Sequence, residues 1–392
     1  MSHTATENIN NIMIVAGEAS GDLHGSHLIG AATERYPGFQ FYGVGGDKMK
    51  SRGCRILFPS EELSVMGVME VFGQLPVILR RFRQLKNRLR GDEKPDLLIL
   101  IDFPDFNLRL AKVAKENGIP VLYYISPKVW AWRSGRARVI ADRVDRLALI
   151  FPFEVKIYQP LGVNAEYVGN PLLDELTAHQ PQGDLRLRLG INSDDQVVGI
   201  FPGSRNSELK YILSSLIDTA RLLSKEKAKL KFLLPVAPSL SRDFFVQKFK
   251  DSGLDIVFVE ENIYEVAKAC DAVLSVSGTV TLQLALMQTP MTIVYKVAPV
   301  SYAIGRRLIK IKFAGLPNII AEREIIREFI QDDADPKTMC QELIRLLDDQ
   351  SYISQIRADL ADVKRRLGQP GCSEKVADMA AEMLLDACIK GA

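Results

Sequence analysis

Five short segments carry residue types that bind or transfer charged groups, and each lies where an apolar run ends. Ile101-Asp-Phe-Pro-Asp-Phe-Asn107 puts Asp102 at the end of a very apolar strand, where a carboxylate can take the proton from an attacking hydroxyl. Asp105, just after Pro104, is placed to cap the following helix, and capping is also the alternative for Asp102. Ala16-Gly-Glu-Ala-Ser-Gly-Asp22 follows the first strand; its two glycines let backbone approach a ligand, although a tight turn with an Asp cap fits equally. Neither it nor Gly43-Val-Gly-Gly-Asp47 is a G-x-G-x-x-G fingerprint, so a dinucleotide is poorly supported. Phe201-Pro-Gly-Ser-Arg205 brings Gly203, Ser204 and Arg205 to a helix start, a donor set that suits a diphosphate. Val276-Ser-Gly-Thr-Val-Thr-Leu-Gln283 repeats the logic with Ser277, Gly278 and Thr279, against which Ser277 or Thr279 as plain N-caps must be weighed. Ser126-Pro-Lys-Val-Trp-Ala-Trp-Arg133 holds both tryptophans beside two cations. It reads as a packed loop or, on thinner grounds, a base-stacking platform.

A further stretch is apolar without polar chemistry. Val65, Met66, Val68, Met69 and Phe72 lead to Leu79, and Arg80, Arg81 and Arg83 follow at once. Apolar surface beside cations is how a protein rests on anionic headgroups, and a buried helix with a charged outer face is the alternative. The four histidines and five cysteines show no metal-ligand spacing, Asp333-Ala-Asp335 before Pro336 reads as a helix start, and there is neither a P-loop nor a G-x-S-x-G elbow. No metal and no cofactor are expected.

The elements that must position these residues alternate. Asn11–Ala16, Phe39–Val44, Asp96–Ile101, Pro120–Ile125, Val144–Ile150 and Asn164–Val168 read as strands separated by helical periodicity, which predicts a parallel sheet with crossover helices. After a turn at Val168-Gly-Asn-Pro-Leu172 the pattern restarts with strands at Val197–Phe201, Lys231–Pro235, Asp255–Val259, Ala272–Val276 and Met291–Tyr295. Beyond about Asp335 only helices follow. The expected division is an N-terminal domain over 1–170, a second over 171–345, and C-terminal helices over 346–392. Two doubly wound α/β domains in tandem imply a cleft facing the carboxyl ends of both sets of strands.

The 392 residues suffice for two cores, and 47% hydrophobic with 25% charged residues is an ordinary globular composition. Fifty Lys and Arg against 48 Asp and Glu leave +2, so no global field draws the chain to nucleic acid. The polar start from Met1 to Asn11 lacks a signal-peptide core, and no apolar run approaches the ~20 residues of a membrane span. A cytoplasmic chain is expected.

Taken in order, Gly17-Glu-Ala-Ser-Gly-Asp22, Asp102-Phe-Pro-Asp-Phe-Asn107, Ser126-Pro-Lys-Val-Trp-Ala-Trp-Arg133, Val168-Gly-Asn-Pro171, Pro202-Gly-Ser-Arg205, Ser277-Gly-Thr279 and Leu316-Pro-Asn318 resemble the lipid-A-disaccharide synthase family, inverting glycosyltransferases of the GT-B type. The resemblance implies transfer from UDP-2,3-diacylglucosamine to 2,3-diacylglucosamine 1-phosphate (lipid X), giving a β(1→6) disaccharide and UDP. It implies that Asp102 is the base, that Arg205 and Asn318 belong to the nucleotide-sugar site, and that Glu18 and Gln331 fall in motifs lining the cleft, Glu18 as a second catalytic residue beside Asp102. It also implies peripheral attachment to the inner leaflet and a homodimer that exchanges C-terminal elements, or else a tail that packs back on the N-terminal domain. The family pattern usually has Glu where this chain has Gln283, a weaker acceptor for ribose hydroxyls. A UDP-sugar epimerase on the same scaffold and a non-catalytic membrane-surface protein are the competing expectations.

Overall fold

The computed structural model describes residues 9–63, 68–181, 183–204, 206–299, 302, 305 and 311–391, with the side chains of 68–74, 206–208, 390 and 391 outside that description. Val65, Met66 and Arg205 lie outside the described residues, as do the side chains of Val68, Met69 and Phe72. The chain forms two compact units, one over Met1–Pro171 with Pro370–Ala392, the other over Leu172–Gln369.

The first unit is built on seven strands: β1 (Asn10–Ala16), β2 (Phe39–Gly45), β3 (Arg55–Pro59), β4 (Leu97–Ile101), β5 (Val121–Tyr124), β6 (Arg146–Leu149) and β7 (Ala165–Tyr167). They pair in parallel in the order β3-β2-β1-β4-β5-β6-β7. Leu-Leu-Ile-Leu-Ile in β4 is buried at all five positions because a parallel sheet is covered on both faces. Alternate residues divide between two cores. Ile12, Ile14, Ile99 and Ile101 face one with Leu28, Ile29 and Val376, while Met13, Val15, Leu98 and Leu100 face the other with Leu85, Leu89 and Leu110.

The second unit holds β8 (Gln196–Phe201), β9 (Leu230–Pro235), β10 (Ile256–Val259), β11 (Ala272–Val276), β12 (Met291–Tyr295) and β13 (Glu328–Ile330). Their order, β10-β9-β8-β11-β12-β13, repeats the first six positions of the other sheet. Strands β3 and β13 are absent from the sequence reading. Both are edge strands, β13 has only three residues, and β3 carries Arg55 and Pro59 at its ends, so neither shows an extended apolar run.

The C-terminal helices divide between the units. Pro336–Asp348 and Gln350–Arg366 belong to the second unit, and Cys372–Gly391 packs in the first against the helix Ala19–Arg35. Val376, Ala377, Ala380 and Met383 of the last helix enter the core there, and Asp378 accepts from the Arg35 guanidinium at 3.0 Å and from the Tyr36 hydroxyl at 2.7 Å. Among the described residues no helix is long and apolar enough to cross a membrane.

Candidate active site

In each sheet the strand order reverses direction beside the first strand, between β1 and β4 and between β8 and β11. Chain connections leave such a junction in opposite directions, so the loops after those two strands open a crevice for ligand. In the first unit the last paired residues are Ala16 and Ile101, which brings Gly17 and Glu18 beside Asp102. In the second, Ser275 pairs with Phe201, which brings Pro202 to Ser204 beside Ser277 to Thr279. The loops selected from sequence thus sit at the switch point of each sheet.

The Asp102 turn is strained and heavily pinned. Asp102 and Phe103 both hold left-handed φ, 44° and 48°, a conformation that costs energy in residues other than glycine and persists where the surroundings fix it. Two side chains fix the turn: the Asp102 carbonyl accepts from Asn107 Nδ2 at 2.8 Å and from the Tyr123 hydroxyl at 2.6 Å. Asn107 is fully buried and also donates to the Ile101 carbonyl at 3.2 Å. The Phe103 ring covers Gly17, where a Cβ would lie 2.4 Å from it, so any larger residue there must displace the ring. Burial, reinforced by the nearby Glu18 carboxylate, raises the Asp102 carboxyl to about 6, with the Phe103 amide and Lys128 opposing the shift. A carboxylate at that value is ionised at neutral pH yet basic enough to hold a proton.

Asp105 is not a helix cap. The helix starts at Pro104 with Phe103 in the cap position, and Asp105 in its first turn pairs with Arg133 and Arg136. Glu18 takes the N-cap position of Ala19–Arg35 but makes no capping bond and is exposed. Asp22 caps a different helix: its carboxylate accepts from the amides of Gly46, Lys48 and Met49, at 2.6, 3.2 and 3.1 Å, tying the loop after β2 to the one after β1.

Sequence reasoning missed Glu154. It is buried, accepts from Trp130 Nε1 and the Phe151 amide, each at 3.2 Å, and is pushed up by desolvation to about 8. It therefore fixes Trp130 in the loop after β5 as a neutral acid. The signal was a lone carboxylate in the apolar run Phe151-Pro-Phe-Glu154.

In the second unit Gly203 turns the chain at φ 90°, and the Ser204 carbonyl accepts from the Ser239 hydroxyl at 3.0 Å. The 21-residue helix Asn206–Glu226 starts immediately after, aiming its first amides at the same edge. Ser277 and Thr279 are not caps. Gly278 holds that position for Thr279–Leu286, and the Ser277 hydroxyl donates to the Ala314 carbonyl at 2.7 Å. Gly278 and Thr279 are exposed. Gln283, one turn on, donates to the Glu175 carboxylate at 3.2 Å.

Asn318 and Gln331 are brought to this region as struts. Asn318 is fully buried and uses both ends of its amide: Oδ1 accepts from the amides of Ile325 and Ile326, and Nδ2 donates to the Ile326 carbonyl and the Glu328 carboxylate. Glu328 in turn receives the amides of Ala314 and Gly315 at 2.6 and 2.9 Å, so the loop that anchors Ser277 hangs from this pair. Gln331 clamps Val297 through its amide and carbonyl, at 2.7 and 3.1 Å, extending the β12–β13 pairing with a side chain. Asn318 Nδ2 uses both of its donors in these bonds, while Gln331 Nε2 donates to the Val297 carbonyl. Both amides here stand in for backbone, pairing with main-chain groups of the loops around them.

The helix Val68–Arg90 places the basic stripe unequally. Arg80 and Arg83 are exposed, as are Leu75 at 47% and Leu79 at 44% on the same face. Arg81 instead grips the Glu62 carboxylate at 2.7 and 2.8 Å and lies over the Phe58 ring, which leaves it less exposed than Arg80 and Arg83. Among the described residues no group of three or more His, Cys, Asp or Glu is placed to hold a metal ion.

A family model described as lipid-A-disaccharide synthetase matches residues 12–383. Lipid-A-disaccharide synthase of Syntrophotalea carbinolica is 53% identical over 372 residues, 95% of each chain, and that of Geobacter sulfurreducens is 44% identical over 380 residues, 97% of this chain and 99% of its own. Among solved structures, a putative UDP-N-acetylglucosamine 2-epimerase from Listeria monocytogenes superposes with a TM-score of 0.65 at 11% identity, covering 93% of this chain and 94% of its own. MurG of Acinetobacter baumannii gives 0.56 at 12% identity, covering 95% and 99%. At those identities the structural likenesses carry the two-domain Rossmann-like fold alone, and the epimerase expectation gains nothing from them. The sequence matches, which run nearly end to end, place the chain in the lipid-A-disaccharide synthase family, glycosyltransferases of lipid A biosynthesis.

Proposed function

We propose that the chain joins UDP-2,3-diacylglucosamine to 2,3-diacylglucosamine 1-phosphate with inversion, and that Asp102 is the general base. The observation that carries this is the Asp102 carboxylate, raised to about 6 by burial and the neighbouring Glu18 and held by a pinned and strained turn at the switch point of the first sheet. In the reaction Asp102 takes the proton of the acceptor 6-hydroxyl as that oxygen bonds to the anomeric carbon of the donor. The bond from that carbon to the diphosphate breaks, and its electron pair leaves with UDP. Arg205, Ser204, Gly278, Thr279 and the first amides of Asn206–Glu226 would receive the charge that develops there. Gln283 is assigned to the ribose side through its carbonyl oxygen, its amide being held by Glu175.

The test is a pH–rate profile. kcat/KM of the native chain should rise about tenfold per unit below pH ~6 and level above it. Asp102→Asn should lose about 10²- to 10⁴-fold in kcat with its fold intact. Near-normal turnover of that variant would remove the base assignment.

The same proposal includes attachment to the inner leaflet through Leu75, Leu79, Arg80 and Arg83, since apolar side chains beside exposed cations suit an anionic bilayer surface. Sedimentation with anionic vesicles should fall for Leu75→Ser with Leu79→Ser and for Arg80→Glu with Arg83→Glu, and native binding should weaken with salt. Folded variants that sediment like the native chain would return this face to ordinary solvated surface. A homodimer exchanging Cys372–Gly391 is also part of the proposal, supported by the two left-handed glycines, Gly368 and Gly371, that flank the return to the first unit. A monomer at every concentration in sedimentation equilibrium would remove it.

A further inference from the structure

The loop after β5 carries a feature that the base and the nucleotide site leave unused. Trp132 is 44% exposed, yet it is not a bare apolar side chain: the Arg133 guanidinium lies 4.6 Å from its ring centre and that of Arg136 5.6 Å away. Stacking on an aromatic face holds a guanidinium flat while leaving its in-plane N–H fork open to an anion. Asp105 touches both arginines, but it is one exposed carboxylate against two guanidiniums, and Lys128 on the same loop is exposed as well. Near neutral pH the buried Glu154 acid adds no full charge, so the loop keeps a net positive field.

Two placements set its distance from the chemistry. Lys128 acts electrostatically on Asp102, and Arg136 and Asp105 act on Tyr123, whose hydroxyl binds the Asp102 carbonyl. Lys128 and Arg136 therefore border the Asp102 turn, and Arg133 shares Asp105 and the Trp132 ring with Arg136. Four of the eight non-glycine residues with left-handed φ among the described residues, Asp102, Phe103, Ile125 and Arg133, lie in the two neighbouring loops after β4 and β5. Strain of that kind persists where the surroundings hold a particular side-chain direction, and at Arg133 it directs a guanidinium.

We infer that Arg133 and Arg136, which lie over Trp132, together with Lys128 of the same loop form the subsite for the phosphomonoester of the acceptor. This rests on the reaction proposed above. An acceptor whose 6-hydroxyl meets Asp102 carries its 1-phosphate across the sugar ring, and a dianionic group there needs several cationic donors. The exposed Arg133 fork and Lys128 contact the phosphate, while Arg136, more covered, holds Trp132 and Asp105 behind them and adds charge.

The experiment compares two acceptors, 2,3-diacylglucosamine 1-phosphate and the same lipid without phosphate, by UDP release. The native chain should prefer the phosphorylated acceptor by tenfold or more in kcat/KM. Arg133→Ala and Lys128→Gln should each shrink that ratio several-fold, chiefly through acceptor KM, and the double variant should bring it near one, with donor KM unmoved. Arg133→Lys, which keeps charge but loses the fork, should fall between. Thermal unfolding separates these effects from misfolding, and the exposed Lys128→Gln serves if the Arg133 variants do not fold. A native chain that uses both acceptors equally, or variants that lose activity on both by the same factor, would overturn the subsite while leaving the transferase reading intact. A native chain that makes no disaccharide from either acceptor would overturn the reaction itself and the subsite with it.

Discussion

At Asp102, the proposed base, the folded chain opposes ionisation. Its carboxyl stays protonated up to about 6 in the folded chain, against 3.8 as the ordinary value. Between those values the folded state binds the extra proton, so stability falls as pH rises through the window, and the penalty is fully present above about 6. Asp102→Asn removes it. That variant should be more stable than the native chain at pH 8, by on the order of 2 kcal/mol, and the advantage should vanish near pH 4. Denaturant titrations at the two pH values check this. Equal stability at pH 8 would mean that the carboxylate is comfortably solvated and no base has been prepared. Asn318 makes the opposite prediction. Asn318→Ala leaves two amides and a carbonyl unpaired in a buried loop, at about 1–3 kcal/mol each, so stability should drop steeply while donor KM of the folded fraction stays within several-fold of native. Unchanged stability with a large rise in KM would make it a direct contact after all.

At the scale of elements, what the sequence makes legible is whatever repeats with a period. The buried strands β1, β4, β8 and β11 are readable from their apolar runs, and the glycine-bearing loops after them mark the switch points correctly because parallel sheets collect their ligands there. Side-chain ties between distant loops have no such period. Asp22 reads as a local cap and instead holds the amides of Gly46, Lys48 and Met49; the backbone-like bonds of Asn318 and Gln331 are not read, and neither is Glu154. Each partner is far away in sequence, or is a backbone group that any residue offers. Gly17 gives the test of whether the β1 and β4 loops act together. Gly17→Ala drives a Cβ into the Phe103 ring, so it should cut kcat by tenfold or more while donor KM, set in the other unit, stays constant. A silent Gly17→Ala would show that the Asp102 turn tolerates displacement.

For the whole molecule, the chain leaves the first unit after Pro171 and returns to it at Pro370, so the division at 346 expected from sequence and the compact units fall at different places. Helical pattern alone does not say which core a C-terminal helix completes; the apolar face of Cys372–Gly391 matches the surface left by Ala19–Arg35. A chain ending at Gln369 should therefore lose the first unit selectively, with proteolysis cutting within 9–171 while 172–369 resists. Equal resistance of both parts would make the last helix an ornament.

The central claim is the reaction, and product mass spectrometry tests it most directly. Incubated with UDP-2,3-diacylglucosamine and 2,3-diacylglucosamine 1-phosphate, the native chain should yield a tetra-acylated disaccharide 1-phosphate and one UDP per disaccharide, and Asp102→Asn should yield neither at a comparable rate. UDP without disaccharide, or an isomerised UDP-sugar formed without any acceptor, would contradict the account.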